Sequence, residues 1–212
     1  MGISFFAAAF PRKEKDRIIK LHERLSDSFA LDLEPLIRFV FSRMGLTQNQ
    51  LTKVPSFRKA MKSLREKYAD KPKEVGKLLD QAETGIDVVL AMLGQDLGVG
   101  SSQFVPSQNT LLPLFDFAFT RSFATVKDIS GRDRRRMQHW FLVGSYNGIY
   151  SSSANWKIEN DLTIIRETKG SFPLGELLKA MKDRPPRSNS IDHSSISMNA
   201  STSCAGASAG ST

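Results

Sequence analysis

Apolar residues recur along this chain at spacings of three and four, the period of an amphipathic helix. Ile18, Leu21, Leu25 and Phe29 line one face of a first helix, which Pro11 is placed to open. Its other face mixes Arg12, Lys13, Glu14, Lys15, Arg17 and Glu23 and reads as solvated surface. A second helix, capped by Asp32 and beginning near Pro35, is dense with Leu36, Ile37, Phe39, Val40 and Phe41, and Gly45 ends it. Thr47 to Lys53 reads as a polar loop. Phe57, Met61, Leu64 and Tyr68 then keep helical spacing, with Arg58, Lys59, Lys62, Arg65 and Lys67 on the outer face.

Pro72 opens the longest predicted helix, whose stripe of Val75, Leu78, Leu79, Ala82, Ile86, Val89, Leu90, Leu93 and Leu97 runs until Gly98-Val99-Gly100 breaks it. Gly85 and Gly94 inside it each cost about 1 kcal/mol against alanine, which points to close helix crossings. From Leu111 to Phe119 nearly every residue is apolar, as expected of a central helix buried all round, with Pro113 tolerated in its first turn. Thr125 to Ser130 is a connecting loop. Ser130 then caps a helix whose Met137, Trp140, Phe141 and Gly144 form a buried stripe and which Asn147-Gly148 terminates. Ser153 is placed to cap the next helix, which carries Trp156, Ile158, Leu162 and Ile165, with both tryptophans expected in the core. Lys169-Gly170 closes that helix, and a last one follows with Leu174, Leu177, Leu178 and Met181.

Beyond Pro185-Pro186 the chain is serine, alanine, glycine and asparagine with scarcely an apolar residue, so burial cannot offset the entropy of ordering it. The expected fold is all-α: an irregular multi-helix bundle over residues 1–183 followed by a disordered C-terminal tail, 184–212.

Residues 131–165 also carry a family likeness. A helix with Trp140-Phe141, a Tyr150-Ser151-Ser152 loop and a helix with Asn160-Asp161 follow one another in that order. Upstream, Phe104-Val105-Pro106-Ser107-Gln108-Asn109 leads into Leu111-Leu112-Pro113-Leu114. This arrangement resembles the helical region of the GmrSD-type restriction-endonuclease family, most clearly from Gln103 to Ile165 and only at the level of pattern from Leu31 to Leu97. Full-length relatives begin with a ParB-like domain bearing an Asp-Gly-Gln-Gln-Arg motif, and many end in an HNH nuclease domain. Neither motif occurs here. The resemblance implies a non-catalytic helical module of a DNA-targeting phage-defence system, shortened on its N-terminal side. No nucleotide-handling or DNA-cleaving role passes to any residue of this chain. The implied partners are DNA and a ParB-like domain, or a partner chain that supplies one.

Charge sharpens the choice of partner. The chain of 212 residues has a formal net charge of +8, which favours nucleic acid, an anionic surface or an acidic protein and fits equally a plain basic protein. A stand-alone nucleic-acid-binding protein is therefore the alternative reading. The one cysteine, Cys204, excludes an intrachain disulfide and a multi-cysteine zinc site, and fits a reducing compartment. No run approaches the roughly 20 apolar residues of a membrane span, and Met1 to Phe10 lacks the order of a signal peptide, so a cytoplasmic location is expected. Phe5 to Phe10 also reads as the cut end of a strand or loop from an upstream domain.

The sharpest candidate site is the start of the Trp140 helix, where Arg132, Arg134, Arg135 and Arg136 cluster. A helix N-terminus already favours anions, and arginines there oppose the dipole by a few tenths of a kcal/mol each, so a phosphate or an acidic partner would offset them. The plain reading is a solvated cluster balanced by Asp133 and Asp128. Lys157 is a further candidate phosphate contact, and Tyr150, Ser151, Ser152 and Ser153 form a candidate polar contact loop whose plain reading is a helix cap. His22, His139 and His193 fall in unrelated contexts, and Glu159 and Asp161 lie on different faces of one helix. No complete catalytic set, cofactor cradle or metal motif is read from these residues. An enzyme with a site assembled from scattered residues is the third and weakest reading.

Overall fold

A computed structural model describes residues 12–151 and 154–183. Among the described residues there are nine α-helices and no strand. They are α1 (Arg12–Phe29), α2 (Leu33–Arg43), α3 (Gln48–Thr52), α4 (Val54–Tyr68), α5 (Pro72–Leu97), α6 (Leu112–Thr120), α7 (Gly131–Tyr146), α8 (Ala154–Glu167) and α9 (Leu174–Lys182). Short 3-10 turns at Ser102–Phe104, Gln108–Leu111 and Val126–Asp128 punctuate the connections. Phe5 to Phe10, Pro11, Ser152, Ser153 and the expected tail, 184–212, lie outside the described residues.

The all-apolar stretch is the axis of the fold. Every residue of α6 from Leu112 to Phe119 is buried, and α5, α8 and α2 pack around it. Each Leu or Phe taken fully out of water there stabilises the fold by roughly 1.5–3 kcal/mol, so this nine-residue helix is an anchor out of proportion to its length. Aromatic edges close the core: Phe39 meets Phe115 with ring centroids 5.6 Å apart, and Phe117 meets Phe172 edge-on at 5.2 Å. Gly85 lets α5 reach the C-terminal end of α6, since a Cβ there would lie 3.2 Å from the Phe119 amide nitrogen. Gly94 marks no such crossing, because a Cβ there would meet only the Val99 carbonyl, at 3.9 Å.

Four local expectations change. Asp32 sits at the N-cap of α2, but its side chain makes no cap; its backbone N–H instead donates to Gln108 Oε1 at 2.7 Å. Thr47 to Lys53 is mostly the short helix α3 rather than a loop, started by a reciprocal capping box in which Thr47 Oγ1 accepts from Gln50 N and Gln50 Oε1 accepts from Thr47 N. The polar face of α1 is not simply solvated. Arg17 pairs with Glu83 at 3.2 Å and with Asp80, Arg24 pairs with Glu83 and Asp87 at 3.0 and 2.9 Å, and Glu14 is buried. These pairs tie α1 to α5. Finally, Trp140 is fully buried as expected, whereas Trp156 is 43% exposed, because it occupies the outer side of α8 while Ile158, Leu162 and Ile165 face inward.

Candidate functional site

The helix α7 is built by its sequence to present two faces. Ser130 caps it, with its Oγ accepting from Asp133 N at 3.1 Å. Met137, Trp140, Phe141 and Gly144 face the core, where Gly144 comes so close to Thr110 that a Cβ would lie 3.0 Å from the threonine methyl. That burial fixes the helix rotation and therefore decides which arginines reach solvent.

The four arginines of the cluster separate into two pairs. Arg134 forks onto Asp96 of α5 through Nε and Nη2, and Gln138 Nε2 donates to the same carboxylate. Arg136 Nη1 donates to the Phe172 carbonyl at 3.0 Å and so fastens α7 to the segment entering α9. Arg132 and Arg135 remain exposed. The expected balance by Asp133 and Asp128 gives way to Asp96. Asp133 accepts from Phe172 N at 2.8 Å and from Ser130 Oγ at 2.9 Å, and Asp128 accepts from the amides of Thr125 and Ala124 at 2.8 and 3.0 Å. The hydrogen bond from Arg134, with its positive charge and the Gln138 amide behind it, holds the Asp96 carboxyl below the usual carboxylate range despite its partial burial. The amides of Thr125 and then Ala124 do the same for Asp128.

The outward face of α7 runs Arg132, Arg135, His139, Leu142 and Tyr146, a three-four-three-four spacing with every member exposed. Leu142 is 53% exposed and Tyr146 92%, which places an aliphatic and an aromatic side chain in solvent beyond the two arginines. This stripe combines charge at one end with apolar surface at the other.

The polar loop lies elsewhere. The 16 residues of α7 extend about 24 Å, so Tyr150 and Ser151, which follow its C-terminus, stand at the opposite end from Arg132. Tyr150 is buried, and its hydroxyl donates to Asp161, itself fully buried on α8. That bond makes Tyr150 a core strut rather than an outward contact. Ser151 Oγ donates to the Gly148 carbonyl at 2.6 Å, and Lys157 is half-buried on α8.

Two polar clusters went unread in the sequence. Asp116, fully buried in the middle of α6, accepts from Arg43 Nη1 at 3.1 Å and from Arg166 Nε and Nη2 at 3.0 Å each. Burial pushes the Arg43 guanidinium below its ordinary value, Asp116 opposes that, and the neighbouring Arg166 adds to it. Arg43 also stacks over the Phe119 ring at 3.9 Å. A lone aspartate in Leu-Pro-Leu-Phe-Asp-Phe-Ala-Phe was the available signal, since such a carboxylate must find cations. In the second cluster Arg38 donates to Gln48 Oε1 at 3.0 Å and to Asn155 Oδ1 at 2.9 Å, and pairs with Glu34. Glu159 accepts from Gln48 N at 2.8 Å, joining α2, α3 and α8. Both clusters are held by internal bonds and act as fasteners, with Arg43 Nε and Gln48 Nε2 buried and without a hydrogen-bond partner among the described residues.

Among the described residues no group of three or more His, Cys, Asp or Glu is placed to hold a metal ion, and no helix is long and apolar enough to cross a membrane. No protein-family model, curated protein or solved structure matches the chain.

Proposed function

We propose that this chain is a non-catalytic helical module of a GmrSD-like, DNA-targeting restriction system, and that it docks a nucleotide-handling, ParB-like domain on the outward face of α7. The observation that carries this reading is the exposed stripe of Arg132, Arg135, His139, Leu142 and Tyr146. Arginine and tyrosine together are the side chains enriched where protein surfaces meet, and an exposed leucine between them supplies area that only a partner would remove from water. The resemblance over Gln103 to Ile165, which includes α7, supports the same class of system. A phosphate site built from the four arginines is less favoured, because Arg134 and Arg136 already bond Asp96 and the Phe172 carbonyl.

The test is to mix the full chain with the ParB-like domain encoded in the same or an adjacent reading frame and to measure association by calorimetry. A saturable complex is expected, and the double substitution Arg135→Glu with Tyr146→Ala is expected to weaken it at least tenfold, about 1.4 kcal/mol or more. A complex indifferent to that pair, or nucleotide turnover by the isolated chain that a single substitution within it abolishes, would overturn the reading.

A further inference from the structure

The basic excess of this chain is concentrated. Between Lys53 and Lys73 the sequence holds eight lysines and arginines against two acids, Glu66 and Asp70. Helix α4 buries Phe57, Ala60, Met61 and Leu64, so its rotation is fixed and its charged residues are turned outward. Lys53, Arg58, Lys59, Lys62 and Arg65 are all exposed, and none of their side chains has an ion pair or hydrogen-bond partner among the described residues. On α1, by contrast, the outward Arg17 and Arg24 are matched by carboxylates of α5.

Like charges three and four apart on a helix repel, and Arg58–Lys62, Lys59–Lys62 and Lys62–Arg65 are three such pairs on one face. The repulsion is relieved when a polyanion lies along the helix. We infer that the outer face of α4 is a binding surface for duplex nucleic acid, which it holds by the phosphate backbone without reading bases. The 15 residues of α4 extend about 22 Å, a length over which a duplex presents roughly a dozen phosphates. A single strand fits less well, since that face exposes no aromatic ring on which bases could stack; Phe57 is buried and Tyr68 is half-buried beneath Lys67. A membrane surface also fits less well, because an interfacial helix needs an apolar face free to insert and that of α4 is packed in the core. This surface is separate from the α7 stripe and does not depend on the docking role proposed for it.

Neutralising five phosphates gives a slope of log K against log salt near −4.5, from about −0.9 per contact. The triple substitution Arg58→Gln, Lys62→Gln and Arg65→Gln is expected to bring that slope to about −1.8 and to weaken binding at low salt more than tenfold. Glutamine is a helix former at exposed positions, so the variant is expected to keep the far-ultraviolet dichroism and thermal midpoint of the parent. Fluorescence anisotropy of the full chain with two unrelated 20-base-pair duplexes, across several salt concentrations, reads both quantities. A matched variant, Arg132→Gln with Arg135→Gln, is expected to leave binding within about twofold. Affinity and slope unchanged in the folded α4 variant would overturn the inference, as would their loss in the α7 variant alone. A preference above tenfold for one duplex sequence would overturn the backbone-only mode. Binding to vesicles rich in anionic lipid, with none to either duplex, would replace nucleic acid by a membrane surface and end the proposal.

Discussion

Replacing Asp116 by asparagine keeps the shape of the side chain and removes its charge, and the structure sets the size of the effect. The carboxylate is fully buried and is the shared counter-charge of two guanidiniums, Arg43 and Arg166, whose side chains are 16% and 31% exposed. Removing one partner of a buried pair leaves an uncompensated charge and costs about 3–5 kcal/mol. Because Arg166 lies close enough to water to be partly resolvated, the low end, about 3 kcal/mol, is expected here. In a domain of this size that is a fall in thermal midpoint of roughly 6–12 °C. Urea denaturation followed by dichroism is the assay, with the midpoint shifting and the slope preserved. A triple variant, Asp116→Leu with Arg43→Met and Arg166→Met, removes every charge of the cluster and is expected to be more stable than Asp116→Asn by about 1–2 kcal/mol, since apolar replacements of buried ion sets are well tolerated. If Asp116→Asn lies within 1 kcal/mol of the parent, or the triple variant is the less stable of the two, the claim that this aspartate is a required counter-ion fails.

The remaining expectations are local. Asp96 has its folded pKa depressed by the bond from Arg134, so its contribution is present above the ordinary aspartate value of 3.8 and is lost as pH falls through the lower folded value. The stability deficit of Asp96→Asn against the parent is therefore expected to be constant from about pH 7 to 5 and to shrink below about pH 4, and a deficit that persists unchanged into acid would contradict it. Gly85→Ala forces a methyl to 3.2 Å from the Phe119 amide and is expected to cost about 1–3 kcal/mol, whereas Gly94→Ala meets only ordinary contact and is expected to gain about 0.5–1 kcal/mol; equal midpoints for the two variants would refute the crossing at Gly85.

Helices were legible because burial here follows period. The stripes of Ile18 to Phe29, Phe57 to Leu64 and Met137 to Gly144 each face the core, and the run after Leu111 is buried all round. Where periodicity was the only guide, it misled once: Trp156 is two residues from Ile158, so its apolar character says nothing about its side of the helix. The helix α3 was missed because a five-residue element has no measurable period, although Thr47-x-x-Gln50 carried its signature in the capping box. The two faces of α1 could not be told apart by composition either. Whether Arg17 is solvated or paired depends on Asp80 and Glu83, more than sixty positions away.

The same limit governs the candidate site. A run of four arginines within five residues is conspicuous in sequence, yet its chemistry is set by helix rotation and by acids on other elements. Burial of Met137, Trp140 and Phe141 turns Arg134 toward α5, where Asp96 receives it, and Arg136 toward the Phe172 carbonyl. Arg132 and Arg135, on the far side, stay exposed. The α4 stripe draws less notice in sequence because its cations are spaced among apolar residues as on any amphipathic helix. What distinguishes it is density: five cations lie between Lys53 and Arg65, and no carboxylate of the described fold pairs with any of those side chains. Partner choice is thus a matter of which charges the fold leaves unmatched. By that measure, α4 is the surface we propose for nucleic acid, and the mixed stripe of α7 the one we propose for a protein.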